Sequence, residues 1–119
     1  MIRHVLGCQL VAELYGCDAG LLDDLDAITR LMLEAASASG ATIVGHRIHR
    51  FSPHGVSGVV IITESHLTIH TWPEYGYAAV DIFTCGVTVQ PMIAVEQLRE
   101  ALRAESFKVT AIPRGLPGA

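Results

Sequence analysis

The chain has 119 residues, with 8 lysines and arginines against 12 aspartates and glutamates, a formal charge of −4, 50% hydrophobic residues and 17% charged ones. That length holds one domain with a core of its own, and the apolar content excludes intrinsic disorder. Mild acidity without a basic cluster argues against nucleic acid as a partner, and a charged fraction below the usual ~25% points to surface covered by a second copy of the chain.

The N-terminus, Met1-Ile2-Arg3-His4, opens a strand-like stretch over residues 4 to 15 that Glu13 interrupts, unlike the apolar region of a signal peptide. Asp18 is a candidate helix N-cap. Leu21, Leu25, Ile28, Met32 and Ala35 follow at spacings of 4, 3, 4 and 3, the apolar stripe of one helix that Gly40 ends. Residues 41 to 51 read as a second strand and Pro53-His54-Gly55 as a turn. Val56 to Thr63 is apolar at nearly every position, which predicts a central strand buried on both faces. From His66 to Trp72 the pattern alternates, so Leu67 and Ile69 face one side while His66, Thr68, His70 and Trp72 face the other. Pro73 to Gly76 forms a turn, Tyr77 to Cys85 a further strand, and Gln90-Pro91 starts a second helix with the stripe Val95, Leu98 and Leu102. Residues 105 to 112 make the last strand. The order β-α-β-β-β-β-α-β predicts an α+β, two-layer sandwich, an antiparallel sheet with two helices on one face. The other face is then expected to be apolar and exposed unless a second subunit covers it.

The longest aliphatic run, Val59-Val60-Ile61-Ile62, is far short of the roughly 20 residues of a membrane-spanning helix. The cysteines Cys8, Cys17 and Cys85 form no CxxC pair, as expected of reduced thiols in a cytoplasmic protein. Six histidines, His4, His46, His49, His54, His66 and His70, invite a metal reading. However, His46 and His49 point to opposite faces of a strand, and His66 and His70 are ~13 Å apart along one. No carboxylate or thiolate completes a tetrahedral set, so no metal is expected.

Two hydrophobic strands meet at Thr63-Glu64-Ser65-His66 without glycine, proline or asparagine to turn the chain. Polar residues at such a junction are either a solvated hairpin end or a working group, with Ser65 as a nucleophile; patterning leaves both open.

The block Thr63-Glu64-Ser65-His66-Leu67-Thr68-Ile69-His70-Thr71-Trp72-Pro73-Glu74, together with Phe83-Thr84-Cys85-Gly86, closely resembles the short prokaryotic S-adenosylmethionine decarboxylase proenzymes. The resemblance runs from Leu10-Val11-Ala12-Glu13 through the second helix. The loop Phe51-Ser52-Pro53-His54 and the early end after Arg114-Gly115 depart from it. It implies self-cleavage between Glu64 and Ser65, giving chains of residues 1–64 and 65–119 from a single domain, with Ser65 converted to a pyruvoyl group. In this picture Ser57 and Cys85 stabilise the oxyanion of the cleavage, His70 is its base, and Cys85 later donates a proton to the decarboxylated substrate. The pyruvoyl carbonyl would take up the substrate amine as a Schiff base and act as the electron sink. Phe51 and His70 would stack on adenine and Glu74 would hold the ribose of S-adenosylmethionine.

Read without the resemblance, Ser57 is a strand-edge hydroxyl, His70 a satisfied sheet histidine, Cys85 a small core residue, Phe51 a core aromatic and Glu74 a turn carboxylate. The resemblance further implies a homodimer whose sites draw on both subunits, serving spermidine synthesis. Rival expectations are the same self-processing machinery acting on arginine or ornithine, and an uncleaved ligand-binding module.

Overall fold

Alternating residues, and in the third strand a nearly continuous apolar run, form β1 (Gly7–Tyr15), β2 (Ile43–Arg50), β3 (Val56–Ile62), β4 (Ser65–Trp72), β5 (Tyr77–Thr84) and β6 (Ser106–Arg114). Between them run the helices α1 (Ala19–Leu22), α2 (Leu25–Ala38) and α3 (Pro91–Ala101), and a 3₁₀ turn at Pro73–Tyr75. The computed structural model describes residues 5–86 and 88–115; His4 lies outside them. The strands pair antiparallel in one sheet of order β2-β3-β4-β5-β1-β6. Helix α2 packs on α3, β2 and β3, and α3 reaches β1 and β5, so both long helices lie on one face as expected.

The apolar stripe from Leu21 to Ala35 is divided between two helices rather than carried by one. Asp18 Oδ1 accepts from the Leu21 N–H and Asp24 Oδ1 from the Ala27 N–H, each at 3.0 Å, so each aspartate caps its own start. Asp23 lies between them, outside both helices, free to bond elsewhere.

Leu10, Ala12, Leu14, Val60, Leu67, Ile69, Val80 and Ile82 from the sheet bury against Ile28, Met32 and Ala35 of α2 and Val95 and Leu98 of α3. Leu67 and Ile69 face this core, as their alternation requires. The expected burial of β3 on both faces does not occur: Ile61 is 48% exposed, because this chain stacks helices on one side only. The open face is also less apolar than expected. Across its centre Gln9 Nε2 donates to Asp81 Oδ2 at 3.0 Å, the Thr68 hydroxyl donates to Asp81, Arg114 reaches Gln9, and Tyr77 donates to Glu13. Burial, then the Glu13 bond, pushes the Tyr77 phenol up to about 12.

Ile69 of β4 is fully buried. Ile69→Ala is expected to cost about 2–5 kcal/mol, read as a lower urea midpoint with an unchanged slope.

Candidate active site

The β3–β4 hairpin closes over Thr63 and Glu64, with Ile62 opposite Ser65. On the other side of β4, Ser65 pairs with Thr84 of β5. The next residue, Cys85, therefore lies against the Glu64 carbonyl. Its backbone N–H donates to that oxygen at 3.1 Å and its thiol donates to the same oxygen at 3.1 Å. Two donors on one peptide oxygen polarise the carbonyl and match what a negatively charged tetrahedral oxygen would need. Ser65 has a φ of +149°, a region that glycine occupies readily and serine does not, which stores on the order of 1–3 kcal/mol at this residue. Its hydroxyl lies 3.4 Å from His66 Nδ1, a long contact, while the Thr63 hydroxyl donates to Glu64 Oε1 at 2.7 Å.

A second group lies towards the far end of β4. Register places Ser57 opposite His70, and Ser57 Oγ meets His70 Nδ1 at 2.9 Å. Both line a cavity of about 240 Å³ with Phe51, His54, Trp72 and Glu74. Phe51 is half exposed and meets His49 edge-on, with ring centroids 4.6 Å apart. Glu74 rides on the 3₁₀ turn, where its own backbone N–H and then His54 hold its carboxyl below the usual range.

The loop that carries Phe51 and His54 is clamped from the helical layer. Asp23 Oδ1 accepts from the Gly55 N–H at 2.9 Å and Asp23 Oδ2 from Arg50 Nη2 at 2.8 Å, while the Asp23 carbonyl accepts from Arg50 Nε at 3.0 Å. Gly55, at φ +105°, turns where a Cβ would strain. The Gly55 N–H first, then Arg50, lower the Asp23 carboxyl.

The structure thus gathers Phe51, Ser57, His70 and Glu74 at one place and Glu64, Ser65 and Cys85 at another. It does not unite the two groups within one chain. Ser65 and His70 stand five positions apart on one extended strand, about 17 Å at the usual rise. Sequence reading passed over His54 as a partner of Glu74, Asp23 as the clamp, and the Cys85 N–H as a donor. Only His54 had a signal, its place in the divergent loop; the other two depend on register and a helix break.

The family described as S-adenosylmethionine decarboxylase matches residues 8–115. A protein of Thermotoga maritima named S-adenosylmethionine decarboxylase proenzyme is 58% identical over 110 residues, 92% of this chain and 85% of the relative. One of the same name from Caldicellulosiruptor saccharolyticus is 52% identical over 113 residues, 95% of this chain and 91% of the relative. The crystal structure of the Aquifex aeolicus adenosylmethionine decarboxylase superposes with a TM-score of 0.87 at 35% identity, covering 94% of this chain and 92% of that one. A Trypanosoma brucei structure shares the fold at a TM-score of 0.65 and 17% identity, this chain spanning 45% of its length.

Strain at Ser65 has a direct consequence. Ser65→Gly and Ser65→Ala both remove the hydroxyl, yet only glycine relieves the positive φ. The glycine variant is expected to be the more stable by about 1 kcal/mol or more, measured by urea unfolding.

The Asp23 clamp sets a pH dependence. A carboxyl whose folded value is lowered stabilises the fold above its ordinary value, and that contribution is lost as pH falls through the lowered one. Asp23→Asn is expected to lower the urea midpoint at pH 7 and to flatten its decline between pH 5 and 3.

Proposed function

The chain belongs to the S-adenosylmethionine decarboxylase family, and from that premise we propose how its own residues make and use the catalytic centre. It decarboxylates S-adenosylmethionine after cutting its own backbone between Glu64 and Ser65. The observation that carries this reading is the Glu64 carbonyl oxygen, taken by the Cys85 N–H and the Cys85 thiol together.

In the cleavage Ser65 Oγ adds to the Glu64 carbonyl carbon while its proton passes to a base, and the carbonyl electrons move onto an oxygen already met by two donors. Collapse breaks the Glu64–Ser65 C–N bond, the nitrogen takes up a proton, and an ester joins Glu64 to the Ser65 side chain. Removal of the Ser65 Cα proton then expels the Glu64 carboxylate. The dehydroalanine left behind tautomerises to an imine, which takes up water and releases ammonia. The products are residues 1–64 and residues 65–119, the latter beginning in a pyruvoyl group. Backbone strain at Ser65 favours the forward direction, because breaking the peptide bond frees the residue from its positive φ.

The residues fit that group: a serine at a polarised, strained linkage beside a thiol. Once formed, the pyruvoyl carbonyl supplies the electron sink that decarboxylation of an amino acid requires. Cys85, within reach of that end of β4, is the proton donor to the substrate carbon. At the 240 Å³ cavity Phe51 and His70 offer faces for adenine and Glu74 an acceptor for the ribose hydroxyls.

Ser57 and His70 act as donor and base in the cleavage, and in one chain they are about 17 Å from the bond. The site is therefore complete only in a homodimer, where a second copy's Ser57 and His70 reach the hairpin end. The exposed Ile61 and the polar rows of the open face support such a pairing. The free cysteines support a reducing, cytoplasmic setting, and among the described residues no helix is long and apolar enough to cross a membrane.

Denaturing mass spectrometry of the wild type is expected to show two fragments, and Ser65→Ala a single species of 12.8 kDa. Cys85→Ala is expected to slow cleavage about 10²-fold or more by losing one donor. Neither Ser65→Ala nor His70→Ala alone makes active sites; co-expressed, they are expected to restore about a quarter of wild-type sites through mixed dimers. A single uncleaved wild-type chain overturns the mechanism, and the absence of complementation overturns the shared site.

A further inference from the structure

His54 stands beside the cavity without a part in the chemistry above. Its Nε2 lies 3.0 Å from Glu74 Oε2, with both side chains about two-fifths exposed (40% and 38%). The pair forms a wall. On one side is the cavity with Phe51, Ser57, His70 and Trp72, and on the other a shallow groove with Asp23 and Asp24. Each partner comes from a different element, His54 from residues 51–55 and Glu74 from the 3₁₀ turn. Residues 51–55 are themselves held, by the Asp23–Arg50 clamp and by the Phe51 N–H donating to the Gly55 carbonyl at 2.7 Å. His54 therefore brings a donor from a held backbone segment to a carboxylate carried by a single short turn.

We propose that His54 is a positioning residue for substrate recognition: its ring N–H holds the Glu74 carboxylate in place as a preset acceptor for the vicinal hydroxyls of the nucleoside ribose. This inference rests on the reading of Glu74 as the ribose-binding carboxylate. Without His54 the Glu74 carboxylate keeps its own backbone N–H as a donor, and its remaining rotamer freedom must be ordered by each arriving substrate. With Oε2 engaged by His54, the carboxylate presents a defined geometry, and a diol is distinguished from a lone hydroxyl by whether both of its protons find acceptors.

The test compares S-adenosylmethionine with its 2′-deoxyribose analogue in steady-state assays of the full, self-cleaved enzyme. His54→Ala is expected to raise KM for S-adenosylmethionine about tenfold, with a small change in kcat, and to shrink the preference for the ribose substrate by a similar factor. His54→Gln, whose amide can donate to the carboxylate, is expected to restore most of both. Glu74→Gln serves as the reference and is expected to lose the preference as well. If Glu74→Gln loses the preference and His54→Ala keeps it, His54 does no positioning and the inference fails alone. If Glu74→Gln keeps it, the Glu74 reading fails and the inference with it. If His54→Gln behaves like His54→Ala, the hydrogen bond is not the cause, which also overturns the proposal.

Discussion

The pairing of Ser65 with Thr84 across β4 and β5 brings Cys85 onto the Glu64 carbonyl, and both donors at that oxygen exist only in this register. A slip of one residue would turn every side chain of β4 to the opposite face. It would expose Leu67 and Ile69 and bury His66, Thr68 and His70, so the hydrophobic core is what holds the reactive end in place. Leu67 opposite Ile82 and Ile69 opposite Val80 are the buried pairs that set this register. Strain at Ser65 persists because the strands on both sides of it are fixed.

The sheet also divides the labour. At one end of β4 lies the Glu64–Ser65 linkage with the Cys85 thiol from just beyond β5, and at the other lie the His70 imidazole, the Ser57 hydroxyl of β3 and the cavity. An extended strand is stiff, so no local motion of one chain closes a gap of about 17 Å. In the proposed twofold assembly each copy would contribute one end of β4 to each site, and the open sheet face would be the surface on which the copies meet. The polar rows on that face, Gln9 with Asp81 and Thr68, and Glu13 with Tyr77, would then specify alignment more than they add to affinity.

Binding geometry depends on a small irregularity in the helical layer. Because Asp18 and Asp24 both cap helices, the chain pauses at Asp23, and that carboxylate is left to grip Arg50 and the Gly55 N–H. The loop with Phe51 and His54 is thereby tied to the core through polar contacts at its base. Periodicity made the apolar stripe of this region plain but concealed the break, since both helices keep the same hydrophobic side. The two faces of β3 show the same limit from the other direction. Its nearly continuous apolar residues announced burial on both sides, whereas the helices of this chain cover one.

The residue pattern announces the six strands in their order, the two long helices and the shared facing of Leu67 and Ile69, and the block from Thr63 to Glu74 announces the family. These are local matters: periods of two and of 3.6 residues, cap chemistry, and a run of residue types found together. Folding in three dimensions is what brings the Cys85 N–H beside its thiol on the Glu64 oxygen, gives Ser65 its positive φ and sets His54 against Glu74. The gap of about 17 Å between Ser65 and His70 already follows from five positions of one strand, and register sets Ser57 beside His70. The Cys85 donors, the Ser65 backbone and the His54–Glu74 pair depend instead on how distant segments meet, which no spacing along the chain encodes.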